Sequence, residues 1–385
     1  MLNFEFYNPT RIIFGTDTIQ RIHDFVPSDA RVLMLYGGES ARKNGTLDEV
    51  RTALGQREIQ EFGGIEPNPS YETLMKAVEL IREQKLDFLL AVGGGSVIDG
   101  TKFIAAAVNY AGDEWQILET HGAKITQALP FGSVLTLPAT GSEMNSGGVV
   151  TRKSTQTKLA FGSSHVFPQF SVLDPNKTYS LPLRQLANGV VDAFIHVMEQ
   201  YLTYSVNAQV QDRFAESLLQ TLIEIAPKVV EESADYDTRA NLMWTATMAL
   251  NGLIGAGVPQ DWSTHMIGHE LTALHNIDHA RTLAIVLPAN MQVRRAQKRD
   301  KLLQYAERVW HIVDGDEEQR IDAAIARTRV FFEDLGLPTR LTDYQLGGKD
   351  IDEVIKQLEA HKLTKLGEHQ DISLDVSRRI LEASL

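Results

Sequence analysis

The chain has no cysteine in 385 residues. That excludes disulfides, iron–sulfur clusters, thiolate metal sites and cysteine nucleophiles, so any metal must rest on nitrogen and oxygen ligands. Positive charge is also short: 37 Lys and Arg stand against 50 Asp and Glu, a net charge of −13. Such a balance argues against binding DNA, RNA or an anionic membrane surface by general electrostatics, while leaving room for one local basic pocket for a phosphate. No apolar run approaches the ~18 residues that a membrane span requires. The opening stretch, Met1-Leu-Asn-Phe-Glu-Phe-Tyr-Asn-Pro-Thr10, has no basic region followed by an apolar core. No signal peptide is expected, and a cytoplasmic location is. Internal repeats and low-complexity tracts are missing too. What is present is ordinary globular composition, 43 % hydrophobic and 23 % charged, in a chain long enough for two domains.

The first part alternates strands with helices. Residues 4–14 read as two short strands broken at Asn8-Pro9. Arg31–Tyr36, Asp87–Val92 and Val134–Leu137 are apolar nearly throughout, as strands of a parallel sheet covered on both faces are. Leu74, Ala77, Val78 and Ile81 fall at helical spacing within 71–85, and a second helical pattern runs from Ile98 to Asn109. Asp174-Pro175 and Leu181-Pro182 then punctuate a change of character. Beyond them the periodicity is helical, at 183–203, 208–231, 237–254, 263–274, 281–295, 299–312, 317–335, 350–360 and 373–384. The expected organisation is an α/β nucleotide-binding domain over 1–178 and an all-α domain over 179–385.

Three glycine- or hydroxyl-rich turns follow strands in the first domain: 37–40, 93–96 and 140–143. Gly93-Gly94-Gly95-Ser96 stands between a strand and a helix, where a bare backbone comes close to a ligand and the helix N-terminus offers free N–H groups to a pyrophosphate. It is not the G-x-G-x-x-G fingerprint. A tight structural turn explains any one of the three. Together, at the carboxyl ends of parallel strands, they favour a nucleotide.

The second domain carries a different constellation. Asp192 and His196 are four apart in an apolar helical segment, and His265 and His269 repeat that spacing on another. His279 follows ten residues later. Residues at i and i+4 leave the same helix face. Isolated polar groups of this kind are costly to bury, and a divalent cation offsets that cost. Scattered surface or core histidines are the bland alternative.

These residues resemble a known family. Gly93-Gly-Gly-Ser-Val-Ile-Asp99-Gly-Thr-Lys102 is similar to the GGGSxxDxxK signature of the iron-containing (group III) alcohol dehydrogenases, and Thr136-Leu-Pro-Ala-Thr140-Gly-Ser142-Glu143 to their second loop. Asp192, His196, His265 and His279 fit their metal region, and Asp278-His279-Ala280 agrees with the NADP-dependent aldehyde reductase and butanol dehydrogenase subgroup. The resemblance covers nearly the whole chain. It implies a dehydroquinate-synthase-like fold with the cofactor in a cleft between the domains. By position, Asp192, His196, His265 and His279 would hold one divalent metal, Zn²⁺ or Fe²⁺. Gly93, Gly94, Gly95, Ser96 and Asp99 would hold the cofactor, with Thr136, Thr140 and Ser142 nearer its nicotinamide, and Asn68 and Lys158 as further contacts. His269 matches a family histidine near the metal that is not usually a ligand. A homodimer is expected on the same ground.

NADP(H) is the expected cofactor, with NAD(H) as the alternative. Gly37 and Gly38 leave room, and Ser40, Arg42 and Lys43 are available to a 2′-phosphate, whereas Glu39 would repel it unless it points to solvent. The chemistry implied is reduction of short- to medium-chain aldehydes, or oxidation of the primary alcohols, by hydride transfer with the cation polarising the carbonyl. His269 is a candidate to protonate the product, its bland role being a neighbour of the site. Trp262, Phe161, Met144 and Leu271 are apolar candidates for lining the substrate pocket, with a place in the core as the alternative for each. Three rivals stand beside this. In a metallohydrolase of the H-E-x-x-H kind the Glu lies between the two His, whereas here Glu270 follows the second. A metal-dependent lyase or cyclase on the same fold handles polyanionic sugar phosphates and needs basic groups at the metal, and 192–279 has none beside a proposed ligand. A non-catalytic nucleotide-binding protein is the third.

Overall fold

Eight strands are present among the described residues of the computed structural model, which are 1–231 and 234–385. They are β1 (Arg11–Phe14), β2 (Arg31–Tyr36), β3 (Glu58–Phe62), β4 (Phe88–Gly94), β5 (Phe131–Leu137), β6 (Gly147–Arg152), β7 (Thr157–Gly162) and β8 (Phe170–Leu173). Six of them form one parallel sheet in the order β1-β8-β5-β4-β2-β3, and β6 pairs with β7 in an antiparallel hairpin. The helices that cover this sheet or connect its strands include α1 (Thr46–Leu54), α2 (Tyr71–Gln84) and α3 (Gly95–Ala107).

Each central strand feeds two cores, which is why it reads as continuously apolar. Leu33, Leu35, Leu89, Ala91 and Leu135 pack with Leu74, Val78 and Ile98 of α2 and α3 on one face. Val32, Met34, Leu90, Val92 and Val134 pack with Ile19, Leu47 and Val50 on the other. Strands buried on both faces cannot alternate with polar residues. β3 escapes the same test because it lies at the sheet edge, where Glu58-Ile-Gln-Glu-Phe62 stays partly exposed.

The remaining helices are α4 (Leu183–Tyr201), α5 (Gln209–Val229), α6 (Tyr236–Ala249), α7 (Ser263–His275), α8 (His279–Val293), α9 (Arg299–Arg308), α10 (Glu317–Asp334), α11 (Gly348–Ala360) and α12 (Leu374–Glu382). None is long and apolar enough to cross a membrane. Two units divide the chain: Tyr7–Pro182 with Asp235–Asn251 form the α/β unit, and Met1–Phe6, Leu183–Ala234 and Gly252–Leu385 form the helical unit. A single break at 178/179 therefore misses two crossings. α6 belongs to the α/β unit, where the Thr247 hydroxyl donates to the buried Glu143 carboxylate and Trp244 sets its ring edge on Phe14 at 6.0 Å. Residues 1–6 belong to the helical unit, with the Leu2 amide donating to Gly257 O at 2.9 Å. This also corrects the expected pair of strands over 4–14: only Arg11–Phe14 pairs into the sheet, because the segment before Asn8-Pro9 bonds elsewhere.

In the helical unit, α4 is buried almost continuously from Leu186 to Tyr201. A helix that is covered all round has no solvent face for a charge. Any ionisable group on it must find its partner inside.

Candidate active site

α4 sends Asp192 and His196 from the same face, and both are buried, at 3 % and 5 % exposure. α7 contributes His265 and His269, also buried, and His279 is the first residue of α8. The Asp192 Oδ1 atom stands 3.8 Å from His196 Nε2 and 3.8 Å from His279 Nε2. One ligand-type atom from each of Asp192, His265 and His279 lies within 4.8 Å of the others. The His196 and His265 rings stack at 4.8 Å between centroids, and His265 and His279 meet edge-on at 5.4 Å. Asp192, His265 and His279 thus converge, and His196 stands against the same carboxylate. The fifth residue singled out by spacing, His269, lies beside them, its ring 5.0 Å from that of His279.

Trp262 caps this group, with its ring 5.1 Å from His265 and 6.2 Å from His196. It sits at the start of α7 with φ +62°, a left-handed conformation that is uncommon for a bulky residue and tends to occur at functional sites. Behind His265 lies Glu199, three residues beyond His196 on α4. Its Oε1 accepts the His265 backbone N–H at 2.9 Å and contacts ring Nδ1 at 3.1 Å. Burial, with the nearby Asp261 carboxylate second, pushes the Glu199 carboxyl well above its usual range. Of the apolar candidates for pocket or core, Phe161 and Leu271 are packed in cores, Phe161 against Phe103 and Leu271 with Ile267 and Val286. Basic groups are closer to the cluster than the sequence interval indicated. Asp278, next to His279, has Arg184 at 2.8 Å and Arg281 at 3.6 Å.

In the α/β unit the three turns stand at the carboxyl ends of β2, β4 and β5, which are neighbours in the sheet. The β4–β5 register slips between Gly93, opposite Leu135, and Gly94, opposite Leu137, so Thr136 is the bulged residue. A Cβ on Gly95 would collide with the Thr140 hydroxyl, so only glycine lets the two turns touch. Nothing lies within 4 Å of where a Cβ on Gly38 would stand. Lys158 Nζ donates to Asn68 Oδ1 at 2.8 Å, and the Asn68 amide donates to Ser96 Oγ at 3.3 Å. These bonds link Lys158 and Asn68 to the turn that follows β4. Ser40, exposed, begins a single helical turn after β2. Glu39 has a side chain 65 % exposed, with Oε2 3.8 Å from Arg42 Nε. Arg42 is itself engaged by the Tyr36 hydroxyl and by Glu61.

Beneath the turns is a buried polar chain. The Ser142 hydroxyl donates to Asp99 Oδ1 at 2.6 Å, and the Val149 amide donates to Asp99 Oδ2 at 3.0 Å. Lys102, fully buried, donates to Ser142 Oγ at 2.9 Å, Asn145 Oδ1 at 2.8 Å and Gly147 O at 2.7 Å. Burial raises Asp99 and pulls Lys102 down to about 8. Three acceptors around Nζ use all three ammonium protons, so the charged form holds at neutral pH. Asp99 and Ser142, expected to touch a cofactor, thus have their hydrogen-bonding atoms engaged by the protein. Glu199 and the bridging part played by Lys102 were not singled out in the sequence. Asp192, His196 and Glu199 fall at i, i+4 and i+7, and that stripe was the available signal.

Known proteins share this chain's sequence and fold. Residues 9–175 match the family model for iron-containing alcohol dehydrogenase, and residues 186–384 match that for the C-terminal part of the Fe-containing alcohol dehydrogenase family. The chain is 63 % identical over 386 residues, covering 100 % of both proteins, to the NADPH-dependent aldehyde reductase YqhD of Escherichia coli K12. It is 41 % identical over 392 residues, again covering 100 % of both, to a probable NADH-dependent butanol dehydrogenase of Bacillus subtilis. A crystal structure of YqhD from E. coli K-12 superposes with a TM-score of 0.99 at 62 % identity, covering 100 % of this chain and 99 % of that one. The fold is the dehydroquinate-synthase-like one that the sequence led us to expect. With both halves matched in register and relatives aligned from end to end, this chain belongs to the iron-containing alcohol dehydrogenase family.

Proposed function

We propose that the protein is a metal-dependent alcohol dehydrogenase/aldehyde reductase that moves hydride between NADP(H) and short- to medium-chain aldehydes or primary alcohols. Asp192, His196, His265 and His279 would hold one divalent cation, Zn²⁺ or Fe²⁺. The observation that carries this is the convergence of the buried Asp192 carboxylate with the His265 and His279 imidazoles, with His196 against the same carboxylate. Asp192 Oδ1 is buried without a hydrogen-bond partner among the described residues, yet lies 3.8 Å from two imidazole nitrogens. Ligand atoms that share an ion at about 2.1 Å stand roughly 3–4 Å apart, so the separations suit one cation. An oxygen and nitrogen donor set suits Zn²⁺ and Fe²⁺ alike.

A bound cation would polarise a carbonyl oxygen and stabilise the alkoxide charge that develops there. NADPH would supply the hydride from C4 of its nicotinamide. The residues of the chain do the rest. The first turn of α3 offers backbone N–H groups to the pyrophosphate, and Gly38 leaves space beside it. Asp99, Ser142 and Lys102 hold the turns that carry Gly95 and Thr140. His269 is our candidate for returning a proton to the product oxygen, since it is buried beside His279. The 2′-phosphate of NADP would meet Ser40, Arg42 and Lys43, and Glu39 is compatible with it because that carboxylate is exposed and close to Arg42. The lyase alternative is disfavoured because the relatives aligned from end to end are an aldehyde reductase and a probable butanol dehydrogenase. A homodimer fits the position of β1 at the sheet edge beside the exposed Phe14 and Trp244.

Elemental analysis and a panel of aldehydes assayed with NADPH and NADH test the proposal. Aldehyde-dependent loss of NADPH by a protein carrying one metal ion per chain is expected. A protein that is active after complete metal removal, or inert toward every aldehyde, would refute it. Clear preference for NADH would refute the choice of cofactor alone.

A further inference from the structure

Two nitrogens of one residue converge on a single oxygen: Glu199 Oε1 takes the His265 amide and faces its Nδ1. With the ring N–H donated to the same oxygen that accepts the amide, Nδ1 carries the proton and Nε2 keeps its lone pair. The Glu199 side chain is 2 % exposed and reaches His265 from α4, the helix that also bears Asp192 and His196. We propose that Glu199 is a positioning residue, fixing the ring plane and tautomer of His265 so that Nε2 faces Asp192 and His279. This rests on the cation reading given above.

Glu199 is in turn held by its surroundings. The Asp261 amide donates to Glu199 O at 2.9 Å, and Asp261 Oδ1 accepts the Ser263 amide at 3.0 Å, where α7 begins. Asp261 Oδ2 is 2.8 Å from Lys298 Nζ, which also donates to Glu368 Oε1 at 2.9 Å and to Leu202 O at 2.6 Å. Lys298 and Glu368 are buried, with side chains 2 % and 3 % exposed. The end of α4 and the start of α7 are therefore tied together through Asp261 and Lys298. His265, two residues into α7 from Ser263, inherits a fixed backbone as well as a fixed ring. Groups that orient a ligand in this way typically change metal affinity by about 10–100-fold when removed.

The test uses the Zn²⁺-loaded full chain as wild type, E199Q and E199L. Zn²⁺ release to a colorimetric chelator, thermal unfolding with and without metal, and KM for NADPH are measured on each. E199L is expected to release Zn²⁺ roughly 10–100-fold faster and to lose most of the metal-dependent gain in Tm, with KM for NADPH unchanged. E199Q keeps an oxygen acceptor facing His265 and is expected to stay within several-fold of wild type. Release from E199L at the wild-type rate overturns the proposal, even with a lower metal-free Tm, because packing alone would then explain Glu199. Equal loss in E199Q and E199L overturns it too, since charge and not acceptor geometry would be responsible. If E199L does not fold, ¹⁵N-histidine NMR of the metal-free wild type decides, with H265N for assignment. The Nδ1-protonated tautomer is expected and the Nε2-protonated one overturns the proposal. Wild type that binds no Zn²⁺ overturns the cation reading and this inference with it, an outcome visible before any variant is made.

Discussion

Lys102→Met isolates what the buried chain beneath the turns contributes. Methionine nearly matches lysine in length but brings no proton, so Ser142 Oγ, Asn145 Oδ1 and Gly147 O each lose a donor now at 2.7–2.9 Å. Single hydrogen bonds to a charged group are worth about 1.5–3 kcal/mol, and three on one atom do not add. Asp99 would keep only the Ser142 hydroxyl and the Val149 amide, without the ammonium beyond Ser142. Removing one partner from a buried charge pair costs about 3–5 kcal/mol, and that figure sets the scale here. For a unit of this size it corresponds to a fall in Tm of roughly 6–20 °C. Thermal and urea unfolding measure the loss, and KM for NADPH is expected to rise with it because Thr140 and Gly95 share the clamped turns. Adding D99N to K102M removes the uncompensated charge, so the double variant is expected to lose less than the sum of the single ones by ~1 kcal/mol or more. A K102M protein within about 1 kcal/mol of wild type, or strict additivity with D99N, would refute the charge-balance reasoning.

Among the histidines, H265A and H279A should lose both metal and activity, whereas H269A should retain metal and turn over more slowly. Metal loss in H269A, read by elemental analysis, would place that residue among the ligands instead. The turn glycines should separate: G95A drives a methyl into Thr140 and should cost about 1–3 kcal/mol of stability, while G38A meets no protein atom within 4 Å and should raise only the KM for the cofactor. Equal effects on Tm would contradict this. Glu66 sets an acid limit. Burial alone would raise its carboxyl, but bonds from Lys153, its own backbone, Thr73 and Ser70 outweigh that and hold it at about 2, against an ordinary value of 4.5. A folded value below the unfolded one stabilises the protein above pH 4.5 and is lost as pH falls from there toward 2. E66Q should therefore show a flatter stability profile across that interval than wild type, and an identical profile would dismiss the network.

How much of this the sequence revealed follows from how local each signal is. β2, β4 and β5 were legible because burial on both faces leaves a run of apolar residues with no partner needed to interpret it. β3 and the β6–β7 hairpin were not, because at an edge or in a two-stranded ribbon the side chains stay partly polar and the register comes from another segment. The allocation of α6 to the α/β unit was equally hidden. Its periodicity announces a helix, but the bond from Thr247 to Glu143 that fixes its place spans 104 positions.

The same distinction explains the site. Asp192 and His196 were visible at i, i+4 because one helix turn delivers both, and His265 and His269 repeat the pattern. Glu199 extends the first pair to i+7, yet nothing in α4 alone says that its oxygen meets α7. That becomes evident only when the His265 amide and ring are seen on one acceptor. The turns of the α/β unit show the converse case. Asp99 and Ser142 stand in the right motif, but a motif records which residues recur and not which atoms are still available. Both Asp99 oxygens and the Ser142 hydroxyl make hydrogen bonds inside the protein, so our proposal gives them a part in cofactor binding through the shape of the turns above them. A buried carboxylate that touches only protein keeps the same place with or without a ligand, so D99N should change the cofactor KM through loop geometry while leaving the rate with saturating cofactor nearly intact.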